Sequence, residues 1–483
     1  MPGVSTKHES YKALEDRWAK CRDCAEGSDA VKARGVLYLP ALDSHKQESL
    51  LGVGGSSKYN EYLLRTLFYN ATGRTIQGLA GAIFQKAPAV IAPGAEEHVK
   101  DITLTGENFE MFSLYVTKEY LTTGRSGILV DMTTELATSP RPYMVCYKAE
   151  EIINWRFEKM GGDQELCLVV LQETISPVNP EDEFTADPIV QYRVLRLVDG
   201  IYSQQIYIPV KGTDSKIEYQ GQPVVIPQRR GKPLDFIPFS LPWSFSIPPL
   251  LDLVEVNLNH YRNSADLSHG LHYTALPTPW VSGMRGDSTK PLSIGSGTAW
   301  DLEINGEAGM LEFTGRGLGA ISKNLEHLEH MMATLGARLL EQASRYAETA
   351  LSVAVRHSSE YATLRTIAQV VEAQLTFALK CHTWWLGTDK LVADSKADVQ
   401  LNKIFFDQSV TADELRALLL ALQASSISYD TFYARLSTTG WTREGIDAVA
   451  ELAAITKDGD RFVPMKPGLQ QPDPKGEVPP KPA

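Results

Sequence analysis

The chain has 483 residues, of which 43% are apolar and 22% are charged, the balance of a folded globular protein. Lysine and arginine number 47 against 59 aspartates and glutamates, so the formal net charge is −12. This acidic balance argues against a free protein that grips DNA phosphates, because such binding needs a basic surface. No apolar run reaches the roughly 18 residues of a membrane-spanning helix, so no membrane contact is expected. A reduced protein without structural disulfides is predicted from the five cysteines Cys21, Cys24, Cys146, Cys167 and Cys381.

The N-terminal part is predicted to begin with an arm, residues 1–54, because it holds only short periodic pieces and a glycine-rich stretch. Two helices are predicted next, over Tyr59–Leu67 and Ile76–Phe84, since their apolar residues recur every three or four positions. A third predicted helix covers Glu107–Thr123, and Gly124 is placed to cap its C-terminus.

Short runs of β-branched and aromatic residues then predict a mostly antiparallel sheet. These runs are Ile128–Val130, Tyr143–Tyr147, Leu166–Leu171, Ile189–Val198, Ile201–Val210 and Val224–Pro227. Asp199-Gly200 lies between two of them and predicts a tight hairpin. Residues 55–245 are therefore expected to form a mixed α/β domain.

A helix over Leu250–His269 is predicted to carry only a narrow apolar stripe, with asparagines, a histidine and an arginine around it. Such a helix is expected to bury little within its own subunit, and to pack on partner helices or line a wet cavity. Turns and short strands continue to Phe313, and a second apolar stripe follows from Ile321 to Leu339.

The longest predicted helix runs over Ser358–Trp385, after a break at 345–356. Its apolar residues alternate by three and four positions for about four heptads. Thr411-Ala-Asp-Glu414 has the pattern of a capping box before a small helical unit. The C-terminal residues from Pro464 onward are proline-rich and are predicted to be disordered.

Motifs that would carry chemistry are weak. Cys21-Arg-Asp-Cys24 lacks the second ligand pair or βαβ context that zinc or redox chemistry needs. His327 and His330 share a helix face without the HExxH order of zinc hydrolases, so a polar face is favoured over a metal site. Gly315-Arg-Gly-Leu-Gly319 lacks the Lys-Ser/Thr of a phosphate loop. Gln228-Arg-Arg-Gly-Lys232 is favoured as a solvated basic loop. The chain is therefore expected not to be an enzyme and to need no cofactor or metal.

Several segments resemble tailed-bacteriophage portal proteins, the head-to-tail connectors, over roughly residues 55–460. Near the N-terminus these are Tyr62-Leu-Leu-Arg65, Phe68-Tyr-Asn70, Arg74-Thr-Ile76 and Gly78-Leu-Ala-Gly81-Ala-Ile-Phe84-Gln-Lys86. Further on they are Gly127-Ile-Leu-Val-Asp131 and Tyr147-Lys-Ala-Glu-Glu-Ile-Ile-Asn-Trp155-Arg156. Beyond these segments the resemblance is in the order and length of elements.

The resemblance implies an α+β portal-type fold built from stacked layers. Its implied parts are an arm (1–54), an α/β wing (55–247), a first stem helix (248–275), a clip (276–317), a second stem helix (318–344), a tunnel loop (345–356), a long wing helix (357–388), a helical crown (389–462) and a disordered tail (463–483).

The resemblance also implies a function and partners. Portal proteins form a homo-oligomeric ring, usually of twelve copies, at the unique capsid vertex of the virion after assembly in the host cytoplasm. Double-stranded DNA passes through the ring during packaging and ejection. The terminase large subunit docks on the clip first, and head-completion, adaptor or tail proteins follow; the capsid or scaffolding protein surrounds the ring.

Candidate residues follow from that assignment of parts. The tunnel-loop candidates are Arg345, Tyr346, Glu348 and Arg356. The clip docking candidates are Arg285, Asp287, Lys290, Asp301 and Glu303. The stem channel candidates are Asn259, Arg262, Asp266, Lys323 and Glu326. Residues 248–350 carry seven basic against twelve acidic side chains, a net of −5, which would let DNA slide rather than adhere.

Two other interpretations stay open. The first is another structural virion protein, a minor head or tail component, which would share the acidic charge and the lack of catalytic motifs. The second is a soluble enzyme that uses His327, His330 and an acidic partner, either Glu326 or Glu329.

Overall fold

The computed structural model describes most of the chain. The described residues are 3–42, 55–133, 140–160, 162–179, 182–211, 217–242, 247–274, 278–284, 302–311, 316–337, 350–387, 391–403, 405, 412–437, 442 and 446–458. The chain divides into two units, residues 1–403 and 404–483. Helices and antiparallel sheets are both present, which agrees with the predicted α+β class. Among the described helices none is long and apolar enough to span a membrane.

The elements are numbered here in chain order. The helices are α1 (Glu9–Glu26), α2 (Ser28–Ala33), α3 (Gly55–Arg65), α4 (Ala71–Ile83), α5 (Phe109–Thr123), α6 (Leu251–Thr274), α7 (Arg316–Ala337), α8 (Ala350–Leu386), α9 (Ala412–Gln423), α10 (Tyr429–Ser437) and α11 (Ala448–Asp458). The strands are β1 (Ala89–Ile91), β2 (Ser126–Met132), β3 (Pro142–Lys148), β4 (Ile152–Met160), β5 (Asp163–Ile175), β6 (Val178–Asn179), β7 (Asp182–Ala186), β8 (Ile189–Val198), β9 (Ile201–Lys211), β10 (Ile217–Gly221), β11 (Gln228–Arg229), β12 (Lys232–Pro233), β13 (Phe239–Ser240), β14 (Thr278–Met284), β15 (Leu302–Leu311) and β16 (Asp398–Gln400).

The N-terminal segment is part of the folded core, so the prediction of an arm is wrong over residues 3–42. Helix α1 packs against α4, α5 and α6. Its buried apolar side chains are Tyr11, Leu14, Trp18, Cys21 and Cys24. Arg22 extends the attachment with ion pairs to Glu119 at 2.8 Å and Glu150 at 2.5 Å. The sequence does contain a helical spacing here, which the prediction of an arm did not use: Tyr11, Leu14, Trp18 and Cys21 recur every three or four positions.

Two antiparallel sheets form the β part of the first unit. One has five strands in the order β10-β9-β8-β5-β4, and the other has three in the order β13-β2-β3. The predicted hairpin at Asp199-Gly200 joins β8 to β9, with positive φ angles of 49° and 71°. The predicted cap Gly124 ends α5 in the left-handed conformation, with φ 73° and ψ 11°. Both local predictions are confirmed because each depends on turn chemistry alone.

Helix α8 lies against the three-stranded sheet and against α5. The predicted heptad positions from Leu364 to Trp385 are buried. Ile367, Leu379 and Cys381 are buried as well, so α8 is a central core helix rather than a one-sided one. It begins at Ala350, so residues 350–356 are helical and the predicted tunnel loop is wrong there. Helix α8 therefore begins N-terminal to residue 357, where the sequence prediction ended the break.

The second unit consists of three short helices in its described residues. Helix α10 packs against α9 and α11. The hydroxyl of Tyr433 donates to the carbonyl of Ile446 at 2.9 Å, which ties α10 to the turn before α11. The predicted helices near 429–436 and 444–455 are present. Thr411 of the predicted capping box and the predicted disordered tail lie outside the described residues.

Candidate functional site

Helices α6 and α7 form an antiparallel pair, and the strands between them form a β-hairpin at one end. Gly270 lies against Leu318, Asn324 donates to Asn263 at 3.0 Å, and His260 lies 3.3 Å from Glu329. These three contacts show that the two helices run in opposite directions. At 1.5 Å per residue, the 24 and 22 residues extend about 36 Å and about 33 Å. We call this arrangement the helical hairpin.

The base of the helical hairpin is anchored in the N-terminal helical layer. The Oδ1 atom of Asn257 accepts hydrogen bonds from the amide and hydroxyl of Thr72, at 3.2 and 2.9 Å. Its Nδ2 atom donates to the carbonyl of Tyr69 at 2.8 Å. Asn257 and His260 are buried, so the expectation that this helix buries little in its own subunit is wrong. Helical spacing is the sequence signal for this burial, since it places Asn257, unlike Asn259, on the apolar stripe with Leu253.

The opposite end carries strands β14 and β15, which pair from Thr278 with Leu311 to Met284 with Leu302. Gly309 faces Trp280 so closely that a Cβ atom there would lie 2.9 Å from the indole nitrogen. The hairpin exposes large apolar side chains: Trp280 is 44% and Ile304 is 94% exposed. Among the described residues neither outer edge pairs with a third strand. Isolated two-stranded hairpins are marginally stable, and open edges favour pairing with another chain. We call β14 and β15 the β-tip.

The five stem candidates divide into two groups. Asn259, Lys323 and Glu326 are exposed to solvent on the helical hairpin. Arg262 and Asp266 are hydrogen-bonded within the chain, although Asp266 is also exposed to solvent. The Nε atom of Arg262 donates to the carbonyl of Tyr38 at 2.9 Å, and the hydroxyl of Tyr62 donates to Asp266 at 3.0 Å. The structure therefore places these two against the N-terminal residues.

The remaining predicted residues lie outside what the structure describes. Arg345, Tyr346 and Glu348 of the tunnel loop and Arg285, Asp287, Lys290 and Asp301 of the clip are not among the described residues. The backbones of Glu303 and Arg356 belong to β15 and α8, but their side chains are outside the described part. Their roles stay predictions.

The cysteines and histidines weighed for catalysis lie on different helices, α1 and α7. Burial raises the pKa of Cys21 to about 12 and raises that of Cys24 further, so both stay as packed thiols. His327 and His330 are exposed on α7. Among the described side chains no group of three or more His, Cys, Asp or Glu is placed to hold a metal ion.

The basic loop at 228–232 has a structural role that the sequence analysis missed. The guanidinium groups of Arg229 and Arg230 each donate to the carbonyl of Gly387, at 2.7 Å. Arg229 also stacks over Trp384, with 4.1 Å from its guanidinium carbon to the ring centroid. Cations at this end of α8 complement the partial negative charge of a helix C-terminus.

Comparison with known proteins gives partial matches. A domain of unknown function, DUF4055, matches residues 249–386, which begin just before α6 and end at the last residue of α8. A search of curated proteins finds no significant match. A chain from the neck of a native GTA particle, computed with C12 symmetry, aligns with 77% of this chain and 92% of its own length, at 13% identity and a TM-score of 0.31. A chain from the neck of an empty GTA particle, computed with C6 symmetry, aligns with 78% and 91%, at 12% identity and a TM-score of 0.34.

Proposed function

We propose that this chain is a structural head-to-tail connector of a phage-type virion and, specifically, a portal protein. Copies form a ring at the capsid vertex, and double-stranded DNA passes through its centre during packaging and ejection. The observation that carries the proposal is the helical hairpin, whose base is locked into the core while its β-tip is left open. That is the order of parts, stem helix, clip and second stem helix, that the sequence resemblance implies.

The β-tip supports a ring because it is incomplete in one copy. Its two strands have open edges among the described residues, and Trp280, Ile304, Met310 and Leu311 are exposed. In a ring, the outer edge of β14 in one copy faces the outer edge of β15 in the next, together with their exposed apolar side chains. Head-to-tail contacts of this kind close into a ring when the rotation between copies permits.

The charge of the helical hairpin and β-tip supports a conduit rather than a DNA clamp. Residues 248–350 carry a net charge of −5, and the strands of the β-tip contain Glu303 and Glu307 but neither lysine nor arginine. A ring multiplies this charge around the axis. DNA phosphates are repelled by such a wall, so the duplex moves without being held.

The proposed ring also has binding partners. We propose that the β-tip docks the terminase large subunit and, later, head-completion, adaptor or tail proteins. The capsid or scaffolding protein contacts the wider part of the ring. The chain acts without catalysis and without a cofactor.

Negative-stain electron microscopy of the purified protein tests the proposal. Twelve copies of the 53.4 kDa chain give a particle of about 640 kDa, and we expect rings with an open central channel. A particle that stays monomeric across salt and protein concentrations would contradict the proposal. Rings or discs without a channel would favour another virion component instead.

A further inference from the structure

The solvent face of α7 carries two histidines, His327 and His330. They share this face with Lys323 and Glu326, because the four residues recur every three or four positions and all four side chains are exposed. Together they extend about 10 Å along the helix, at 1.5 Å per residue. The opposite side of α7 is buried, and its apolar side chains there are Leu325, Leu328 and Met332. We call the four exposed residues the histidine stripe.

The charge of the histidine stripe depends on pH. The fixed charges of Lys323 and Glu326 cancel, so the stripe is neutral while both imidazoles are neutral. Histidine is the side chain that ordinarily changes its charge between about pH 5 and pH 8. Protonation of His327 and His330 adds two positive charges per copy, or about 24 around a ring of about twelve copies. Half of the ten histidines of the chain lie on α6 and α7, so the charge of the whole helical hairpin changes in the same direction.

The helices that pack against α7 hold their own charged groups in other contacts. Glu329 on α7 lies 3.3 Å from His260 of α6, on the side away from the stripe. The other charged or titratable side chains at this level of α6 and α4 are Glu255, paired with Lys20; Tyr261, which is buried; Arg262, bound to the carbonyl of Tyr38; Asp266, bound to Tyr62; and Arg74, which lies over Tyr69. Glu326 is the carboxylate that shares the stripe, four positions before His330, and this spacing favours the protonated imidazole.

We infer that the histidine stripe is a pH-dependent contact for the DNA that passes through the ring. The inference rests on the proposed function, because it places the stripe on the channel wall together with the stem candidates Lys323 and Glu326. Above about pH 7.5 the stripe is neutral, and the acidic wall leaves the duplex free to slide. Below about pH 6 the imidazolium groups attract phosphates and slow the duplex. Phosphates in turn favour the protonated imidazole, so DNA contact and proton uptake strengthen each other.

Binding of linear duplex DNA to purified rings tests the inference. One duplex has free ends, and a second carries streptavidin on both biotinylated ends, added before mixing so that the duplex is unable to enter the ring. At about 50 mM salt we expect the free duplex to bind about tenfold or more tightly at about pH 6 than at about pH 8. The blocked duplex should show no such gain. Micrographs at both pH values show whether the rings persist.

Three full-length variants assign the effect to the histidine stripe. H327Q/H330Q keeps polar side chains that do not titrate, so it should lose most of the gain at acidic pH. H327K/H330K carries both charges at every pH in the assay, so at about pH 8 it should bind the free duplex as tightly as the parent does at about pH 6. H272Q is the matched control, because His272 is exposed on α6 outside the stripe, and it should keep the gain.

The outcomes separate this inference from the proposed function. Rings with an open channel that bind the free duplex equally at both pH values would overturn the inference and leave the portal proposal standing. An equal gain for the blocked duplex, or loss of the gain in H272Q, would place the contact outside the stripe and overturn it as well. A monomer under all conditions would overturn both. If the rings dissociate at acidic pH, H327K/H330K decides at about pH 8, where binding no tighter than that of the parent would overturn the inference.

Discussion

Replacing Asn257 by alanine is expected to loosen the helical hairpin at its base. Asn257 is fully buried on α6 and makes three hydrogen bonds to the segment that begins α4. The variant N257A removes all three. The carbonyl of Tyr69 keeps the amide of Ala71 as a donor at 2.8 Å, and the Thr72 hydroxyl is free to rotate. The Thr72 amide, which is also buried, is left without its acceptor.

The size of the effect follows from these contacts. A buried hydrogen bond contributes about 1 kcal/mol net, and a buried group left without a partner costs about 1–3 kcal/mol. One orphaned amide and two weakened groups together give a loss of about 3 kcal/mol. The same substitution at Asn259, two residues along α6, affects an exposed side chain and is expected to stay within about 0.5 kcal/mol.

Urea unfolding followed by tryptophan fluorescence measures both variants, at a protein concentration where assembly is unchanged. N257A should lower the midpoint, and N259A should leave it near that of the parent. Hydrogen exchange at the first turn of α4 should speed up in N257A alone. Equal midpoints for the two variants, or unchanged exchange in α4, would refute the role given to Asn257 as the anchor of the hairpin.

Three further predictions concern the first unit. Burial lowers the pKa of His382 from 6.5 to about 3, so the unfolded chain binds a proton that the folded chain does not. Below pH 6.5 the free energy of unfolding should therefore fall by about 1.4 kcal/mol per pH unit. The variant H382Q should flatten that slope in urea titrations at about pH 7 and about pH 5. G127A should lower the free energy of unfolding by about 1–3 kcal/mol in the same titration, because its Cβ would lie 2.2 Å from Phe239. The control G81A adds a Cβ to open space on α4 and should be neutral or stabilising. R193M should cost about 1–3 kcal/mol, since it leaves the partly buried carboxylates of Asp131 and Glu173 without their shared cation. A double-mutant cycle with E173Q should recover part of that loss.

Local sequence signals predicted elements wherever one stripe or one turn decides the structure. The stripe of α4, the helix cap at Gly124 and the hairpin turn at Asp199-Gly200 needed no distant contact. The same reasoning failed for α1, whose apolar spacing is helical but whose surface is mostly charged. Its burial depends on α4, α5 and α6, which the sequence places far away.

Tertiary contacts explain what the sequence did not reveal about the site. Helical spacing places Asn257, unlike Asn259, on the apolar stripe of α6, but no sequence signal reveals the contact with Thr72 of α4 that satisfies its side chain. An apolar pocket in the first unit is lined by residues as distant as Phe157 and Phe377, so no short motif marks it. Phe184 on β7 is 91% exposed, which is also a property of the folded chain, since a phenylalanine in a strand is more often a core residue.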